Sequence, residues 1–299
     1  MRRTVFSKVL SNFKALTFVL PALFFYIIFS IRPIIDTIQI SFHVWNGVDP
    51  YMEFVGFANY VDILTDAVFL TAFQNNIKWI IGTVLFPVMI GLILAVILSQ
   101  KFIRLRLLFR VAYFMPVVIS LVAVSIIWRW IYNPIFGILN RFLNGVGLGF
   151  LASDWLGDSS IALFSVLAAG SWTYFGFCMV IFMAALAGVD ECYTEVAILE
   201  GANAIQTFFY VTLPMIKNIM TLLVINSLIG SLGVFDIIHT MTGGGPAHST
   251  EVASTLMFRT AFQFREYGRS AAMAIILAII TSICATLYFK YAERGGEDQ

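Results

Sequence analysis

Charge is what this sequence has least of. Asp, Glu, Lys and Arg make up 12% of its 299 residues, about half the share usual in soluble domains. Hydrophobic residues make up 60%, and mean hydropathy is +0.90. A water-soluble globule is excluded, and a formal net charge of +1 gives no electrostatic case for nucleic acid. The three cysteines, Cys178, Cys192 and Cys284, lie in or just beside apolar runs, so no disulfide framework is expected. His43, His239 and His248 are far apart without ligand spacing, which leaves no expected metal site. No GxxxxGK[ST] motif occurs, and Gly243-Gly244-Gly245-Pro246 has no lysine to reach a phosphate. The apolar runs also lack the Asp, Glu or His relay that proton-coupled carriers bury. The chain is therefore expected to have no catalytic residue and no bound cofactor; if it transports, a partner supplies the energy.

What the sequence does have is long apolar stretches. Six windows free of Asp, Glu, Lys and Arg, at 15–31, 79–100, 111–128, 159–189, 218–235 and 270–289, approach or exceed the roughly 17–25 helical residues that cross a hydrocarbon core. Lipid offers backbone groups no partners, so all six are expected to be helices in a single all-α membrane domain over 1–299. The fourth is overlong and predicts tilt or a portion outside the core. The run 15–31 exceeds the apolar length of a signal peptide, and no A-x-A-like site follows at Arg32-Pro33; it reads as an uncleaved anchor. Arg2, Arg3, Lys8 and Lys14, then Lys101, Arg104, Arg106 and Arg110, then Lys290 and Arg294 put both termini in the cytoplasm, in a multi-pass cell membrane topology. The last two loops run against this, with Asp190, Glu191, Glu195 and Glu200 inside and Arg259, Arg265 and Arg269 outside. A helix capped by Ser249 or Thr250 and running to about Phe264, with Arg259 and Arg265 on its polar face, would hold those arginines outside the membrane.

Within the inner loop at 190–214, the segment EVAILEGANAIQTFFYVTLP predicts a short helix, a break at Gly201, a second short helix through Phe208 and a stop at Pro214. Gly201 and Ala202 leave room for an approaching backbone, and Glu195 and Glu200 offer carboxylates to a basic partner. The other reading is an amphipathic helix lying on the bilayer; the acidic face and central glycine count against it.

Glu195, Ala197, Glu200, Gly201, Ala202, Val211, Leu213 and Pro214 resemble the EAA motif of binding-protein-dependent ABC importer permeases, E-A-A-x-x-[DE]-G-A followed by eight residues and [IV]-x-L-P. Val196 stands where that family has its first alanine. Phe235-Asp236, Thr242-Gly243-Gly244-Gly245-Pro246 and Ser249-Thr250 are similar to F-D-x-I…L-T-x-G-G-P-x-x-x-T of the maltose and glycerol-3-phosphate carbohydrate permeases, with Met241 in place of leucine. Tyr267-Gly268 with Ala271-Ala272 resembles the same group. The resemblance implies a six-helix type I (MetI-like) permease fold and the first of two permease subunits. It also implies a second homologous permease, two ATPase subunits that hydrolyse ATP with Mg, and an external solute-binding protein. Glu195, Ala197, Glu200, Gly201, Ala202, Leu213 and Pro214 would then couple to the ATPase, and Gly243, Gly244, Gly245 and Pro246 would face the binding protein.

The pathway is open to two readings. Trp128, Arg129 and Trp130 suit an aromatic belt with a snorkelling arginine, or substrate contact. Ser171, Tyr174 and Cys178 fall on one helical face with Trp172 beside them; Asn226, Ser227, Gly230 and Ser231 add small and polar groups. Such groups let helices pack, while Trp172, Tyr174, Asn226 and Ser231 also suit a sugar route. Asp236 is either an exposed loop acid or a contact for the binding protein. A secondary carrier or channel, or an assembly factor without a path, is the alternative class.

Overall fold

The computed structural model describes residues 19–100 and 103–294. It is almost wholly helical, as the solvent demands: in lipid a helix satisfies its own backbone groups. In chain order the elements are α1 (Val19–Ser41), a two-strand hairpin of β1 (His43–Val44) and β2 (Glu53–Phe54), and α2 (Ala58–Thr65). Then come α3 (Ala67–Ser99), α4 (Arg106–Val118), α5 (Leu121–Ile131), α6 (Ile138–Gly145), α7 (Ala162–Ala187) and α8 (Glu191–Leu199). The chain continues through α9 (Ala204–Met215), α10 (Lys217–Leu232), α11 (Asp236–Met241), α12 (Ala253–Phe262) and α13 (Tyr267–Arg294). Among the described residues, four helices are long and apolar enough to cross a membrane. The count is six when α4 with α5 and α9 with α10, bent by 101° and 69°, each count as one crossing.

The helices outrun the charge-free windows. The described part of the first begins at Val19, residues 15–18 lying outside the described set, and extends past Ile31 to Ser41. It takes in Arg32 and Asp36, an exposed i,i+4 pair at 3.9 Å. The second starts at Ala67, not Trp79, with Asp66 as its N-cap accepting from the Val68 and Phe69 amides. Lys78 therefore sits in a helix, its Nζ donating to Asn75 Oδ1 at 3.3 Å. The window at 111–128 is not one helix: Ile119 is extended, and the Ser120 hydroxyl accepts from the Ala123 amide to start a new one. Three π-helical turns each adjoin a proline: Ile27–Ile31 before Pro33, Val84–Val88 around Pro87, and Phe208–Thr212 before Pro214. A wider turn relieves the clash between a proline ring and the carbonyl four residues back.

By contacts the described residues divide into two units, one of those up to 64 with 257–276, the other of those from 65 to 256 with those from 277 on. In the first, the hairpin holds the start of α13. The Tyr267 amide donates to the Trp45 carbonyl at 2.9 Å and the two rings sit 5.6 Å apart. Gly268 packs directly on the His43 carbonyl, where a Cβ has no room. In the second unit, two buried clusters stack along α7. One joins Trp79, Tyr132, Val166, Leu167, Ile237, Ile238 and Met241. The other joins Val88, Leu92, Ala95, Leu98, Cys178, Met179, Phe182, Ile216 and Leu223. Lipid tails are as apolar as leucine, so close packing must hold such helices together. Gly91 supplies it: a Cβ there would lie 2.6 Å from Cys178 Cβ.

Candidate functional site: an exposed coupling segment and a polar path

The segment 195–214 is built as a hinged pair of short helices. Asp190 caps α8, its carboxylate accepting from the Cys192 amide at 2.9 Å. At the other end Gly201 has φ +90°. Its amide donates to the Ile198 carbonyl and the Ala202 amide to the Ala197 carbonyl, both at 3.0 Å. This is a Schellman stop, which requires a residue at ease in the left-handed region. The expected break at Gly201 is thus present and has a defined geometry. The next helix starts with a reciprocal box: Asn203 Oδ1 accepts from the Gln206 amide, and Gln206 Oε1 from the Asn203 amide, each at 2.9 Å. The Asn-x-x-Gln spacing could have been read from the sequence and was not.

Pro214 does not stop this second helix, nor does the helix end at Phe208. The π turn carries the chain on, making room for the Pro214 ring, and the helix ends one residue later at Met215. The bend falls at Ile216, which is buried and has left helical geometry.

Between the two helices lies a concavity of about 360 Å³ lined by Ala197, Glu200, Gly201, Ala202, Gln206 and Tyr210, among others. Around it the chain exposes apolar side chains: Leu199 is 86% and Tyr210 80% exposed, and Ile198 and Ile205 are exposed too. Glu195 and Glu200 stand in the same exposed stretch. A Cβ on Gly201 would meet nothing within 4 Å, so this surface is open. Leu213 and Phe208, by contrast, pack onto the cluster of Leu92, Cys178, Phe182 and Leu223. Through them α9 packs directly on α3, α7 and α10.

The residues proposed for a pathway fall into two groups. Tyr174 joins α10: Asn226 Nδ2 and Ser227 Oγ donate to its hydroxyl at 2.9 and 3.3 Å. Ser231 is buried, donating to the Ser227 carbonyl at 2.5 Å and meeting the Thr83 hydroxyl at 2.7 Å. It holds α10 against α3, the packing role small polar residues take in membranes. Of the expected face, Tyr174 packs on the cluster that holds Cys178 one turn on, while Ser171 parts from them and turns with Trp172 to a separate cavity. Trp172 and Ser171 line a cavity of about 410 Å³ with Phe86, Trp128, Phe164 and Phe175. Trp128 and Trp172 meet edge to face at 5.9 Å. Buried Trp128 Nε1 and Ser171 Oγ have no hydrogen-bond partner among the described residues. Arg129 donates to the Thr240 carbonyl at 3.4 Å, near the end of α11. Asp236 is exposed in the first turn of α11, where the helix dipole favours a carboxylate.

The GGGP loop is anchored rather than free. Gly243 and Gly244 have φ of +61° and +93°. Asn75 Nδ2 donates to the Ser249 and Glu251 carbonyls at 3.0 and 2.9 Å, and Asn76 Oδ1 accepts from the Ala253 amide. Glu251, 1% exposed, lies across Gly244; Thr255 donates to its Oε1 at 2.7 Å and His248 Nδ1 lies 3.1 Å from its Oε2. Gly243 is exposed while Gly244 is buried and Gly245 and Pro246 are partly so. Neither Ser249 nor Thr250 caps α12. The Thr250 hydroxyl turns back to the Gly245 carbonyl, and the helix runs from Ala253 to Phe262, leaving Arg265 outside it. Asn75 and Asn76, two adjacent amides in an apolar run, were the overlooked signal.

The chain thus joins apolar helices long enough to cross a membrane to an exposed two-helix segment that packs on their core through Phe208 and Leu213. The chain belongs to the family described as "binding-protein-dependent transport system inner membrane component", which matches residues 87–295. It is 34% identical over 282 residues to a probable ABC transporter permease, YurN, of Bacillus subtilis, covering 94% of this chain and 96% of that one. It is 30% identical over 287 residues to MsmF of Streptococcus mutans, a multiple sugar-binding transport system permease, covering 96% and 98%. Its fold matches a chain from the crystal structure of a bacterial ABC transporter that imports the acidic polysaccharide alginate. There the TM-score is 0.85 at 21% identity, over 97% of this chain and 98% of that one. The chain is thus a permease subunit of an ATP-binding-cassette importer with the type I fold.

Proposed function

We propose that the chain carries a sugar or sugar derivative across the cytoplasmic membrane, paired with a second homologous permease and driven by two ATPase subunits that bind and hydrolyse ATP with Mg. The permease itself is non-catalytic. Both termini face the cytoplasm, so the segment 195–214 meets the ATPase. Glu195 and Glu200 pair with basic groups there, and Ala197, Gly201 and Ala202 form the close-contact floor. The one observation that carries this reading is the open concavity at Gly201, flanked by exposed apolar residues and packed through Leu213 against the core beside Pro214.

The substrate route passes the cavity at Trp128 and Trp172. Two indole faces suit stacking on a sugar ring, and Trp128 Nε1 with Ser171 Oγ supplies uncharged hydrogen-bonding groups. Tyr174, Asn226 and Ser231 set the spacing of α7, α10 and α3 beside the route. The sugar class is supported by the GGGP pattern and by the sugar-binding transport named for MsmF. On the opposite side, exposed Gly243 and Asp236 meet a solute-binding protein, with Gly244, Gly245 and Pro246 shaping the loop. Trapping the ATPase dimer closed pulls α8 and α9, and the packed path described above hands that motion to the spans.

The test is ATP hydrolysis by the reconstituted complex. Binding protein loaded with its sugar should raise the rate, and Trp172→Ala should lower sugar transport more than hydrolysis. A carrier that moves sugar without the ATPase would overturn the reading.

A further inference from the structure

A groove of about 390 Å³ runs between α3 and α9, its walls including Met89, Ile93, Ile97, Phe208, Phe209 and Met220. Every lining side chain is apolar, and Met89, Ile93, Ile97 and Phe209 are exposed. Interfaces between membrane helices are enriched in small residues and interhelical hydrogen bonds. This groove has neither glycine, alanine nor a polar group along it, so its chemistry suits a flexible hydrocarbon chain better than a helix. One end carries positive charge. Lys217 lies three residues before Met220 on α10, hence on the same face and one turn nearer the start of the helix. It is exposed and makes no hydrogen bond or ion pair among the described residues.

We propose that this groove seats one acyl chain of a cytoplasmic-leaflet phospholipid with an anionic headgroup, whose phosphate pairs with Lys217. The assignment of side rests on the orientation given above. Since Phe208, Phe209 and Leu213 belong to the coupling segment, a seated chain wedges beside the bend at Ile216. It thereby makes the coupling of ATP hydrolysis to transport sensitive to anionic lipid.

The experiment uses the assembled transporter in phosphatidylcholine bilayers containing phosphatidylglycerol with a photoactivatable diazirine on its acyl chain. After irradiation, adducts should concentrate on residues 89–97 and 208–220. Labelling should fall about fivefold in Lys217→Gln, the loss expected for one basic contact at the membrane surface, and further in Ile93→Trp, which fills the groove. Adducts spread evenly over all lipid-facing helices, or unchanged by Ile93→Trp, would overturn the site. Equal labelling by a phosphatidylcholine probe would overturn the headgroup assignment. Labelling from a probe confined to the outer leaflet would overturn the side. Capture of the second permease by a photocrosslinker placed at Phe209 would assign the groove to protein instead. Labelling needs no ATP turnover, so failure of the importer reading would show as lost ATPase binding with the adduct pattern intact.

Discussion

Two glycine-bearing loops of this chain hold residues in the left-handed region, and they treat them in opposite ways. Around Gly201 the backbone satisfies itself, through the Schellman stop and the Asn203–Gln206 box, while the side chains stay exposed. Around Gly244 the loop is stitched into the core by Asn75, Thr250, Thr255 and buried Glu251. A loop that is pinned from within can present a fixed shape to a visitor. One that is rigid in its backbone yet uncovered in its side chains leaves apolar groups as large as Leu199 and Tyr210 exposed, as the proposed docking role requires.

The sharpest way to break this contrast is Gly201→Asp. At this φ an L-residue costs roughly 1–2 kcal/mol, which the short polar side chain of aspartate eases, and with nothing within 4 Å of a Cβ the change puts bulk and charge on the open floor with no clash added. Co-purification of the ATPase should be lost while membrane insertion is kept; normal co-purification would remove the docking role. At the other loop, Gly244→Ala sets a Cβ 2.6 Å from the Glu251 carboxylate, at a φ that costs an L-residue roughly 1–2 kcal/mol before any clash. Thermal unfolding in detergent should shift well down, with ATPase binding intact. Asn75→Leu strips the donor from two buried loop carbonyls, at about 1–3 kcal/mol, and should lower the melting temperature in the same assay by less than Gly244→Ala. The smallest effect is expected of Asn203→Ala, about 1 kcal/mol for a lost cap on an exposed helix. It should leave global melting nearly unmoved and show as faster amide exchange at Gln206. If the Gly201 loop proved as sensitive to melting as the Gly244 loop, the distinction between them would fail.

Much of this arrangement could be read from residues alone, since the presence of apolar helices and the break at Gly201 follow from rules that act locally. Boundaries did not, because a charge ends a charge-free window without ending a helix. Arg32 pairs one turn away with Asp36, and Lys78 reaches Asn75, so both stay helical. The kink between α4 and α5 comes at Ile119, a residue with no breaking tendency of its own, and the break expected at Pro214 falls two residues later, at Ile216, because a preceding π turn lets the helix pass the ring. Tertiary partners decided the rest. Nothing local says that Trp172 faces Trp128 while Tyr174 faces Asn226, or that Thr250 bonds inward instead of capping α12.

The most direct test of the central claim is photocrosslinking from position 195 in intact membranes, with a matched probe at Ala247 in the other loop. A benzophenone side chain at Glu195 should capture the ATPase subunit, and the one at Ala247 should not. Capture from Ala247 alone would place the motor on the opposite side and contradict the account.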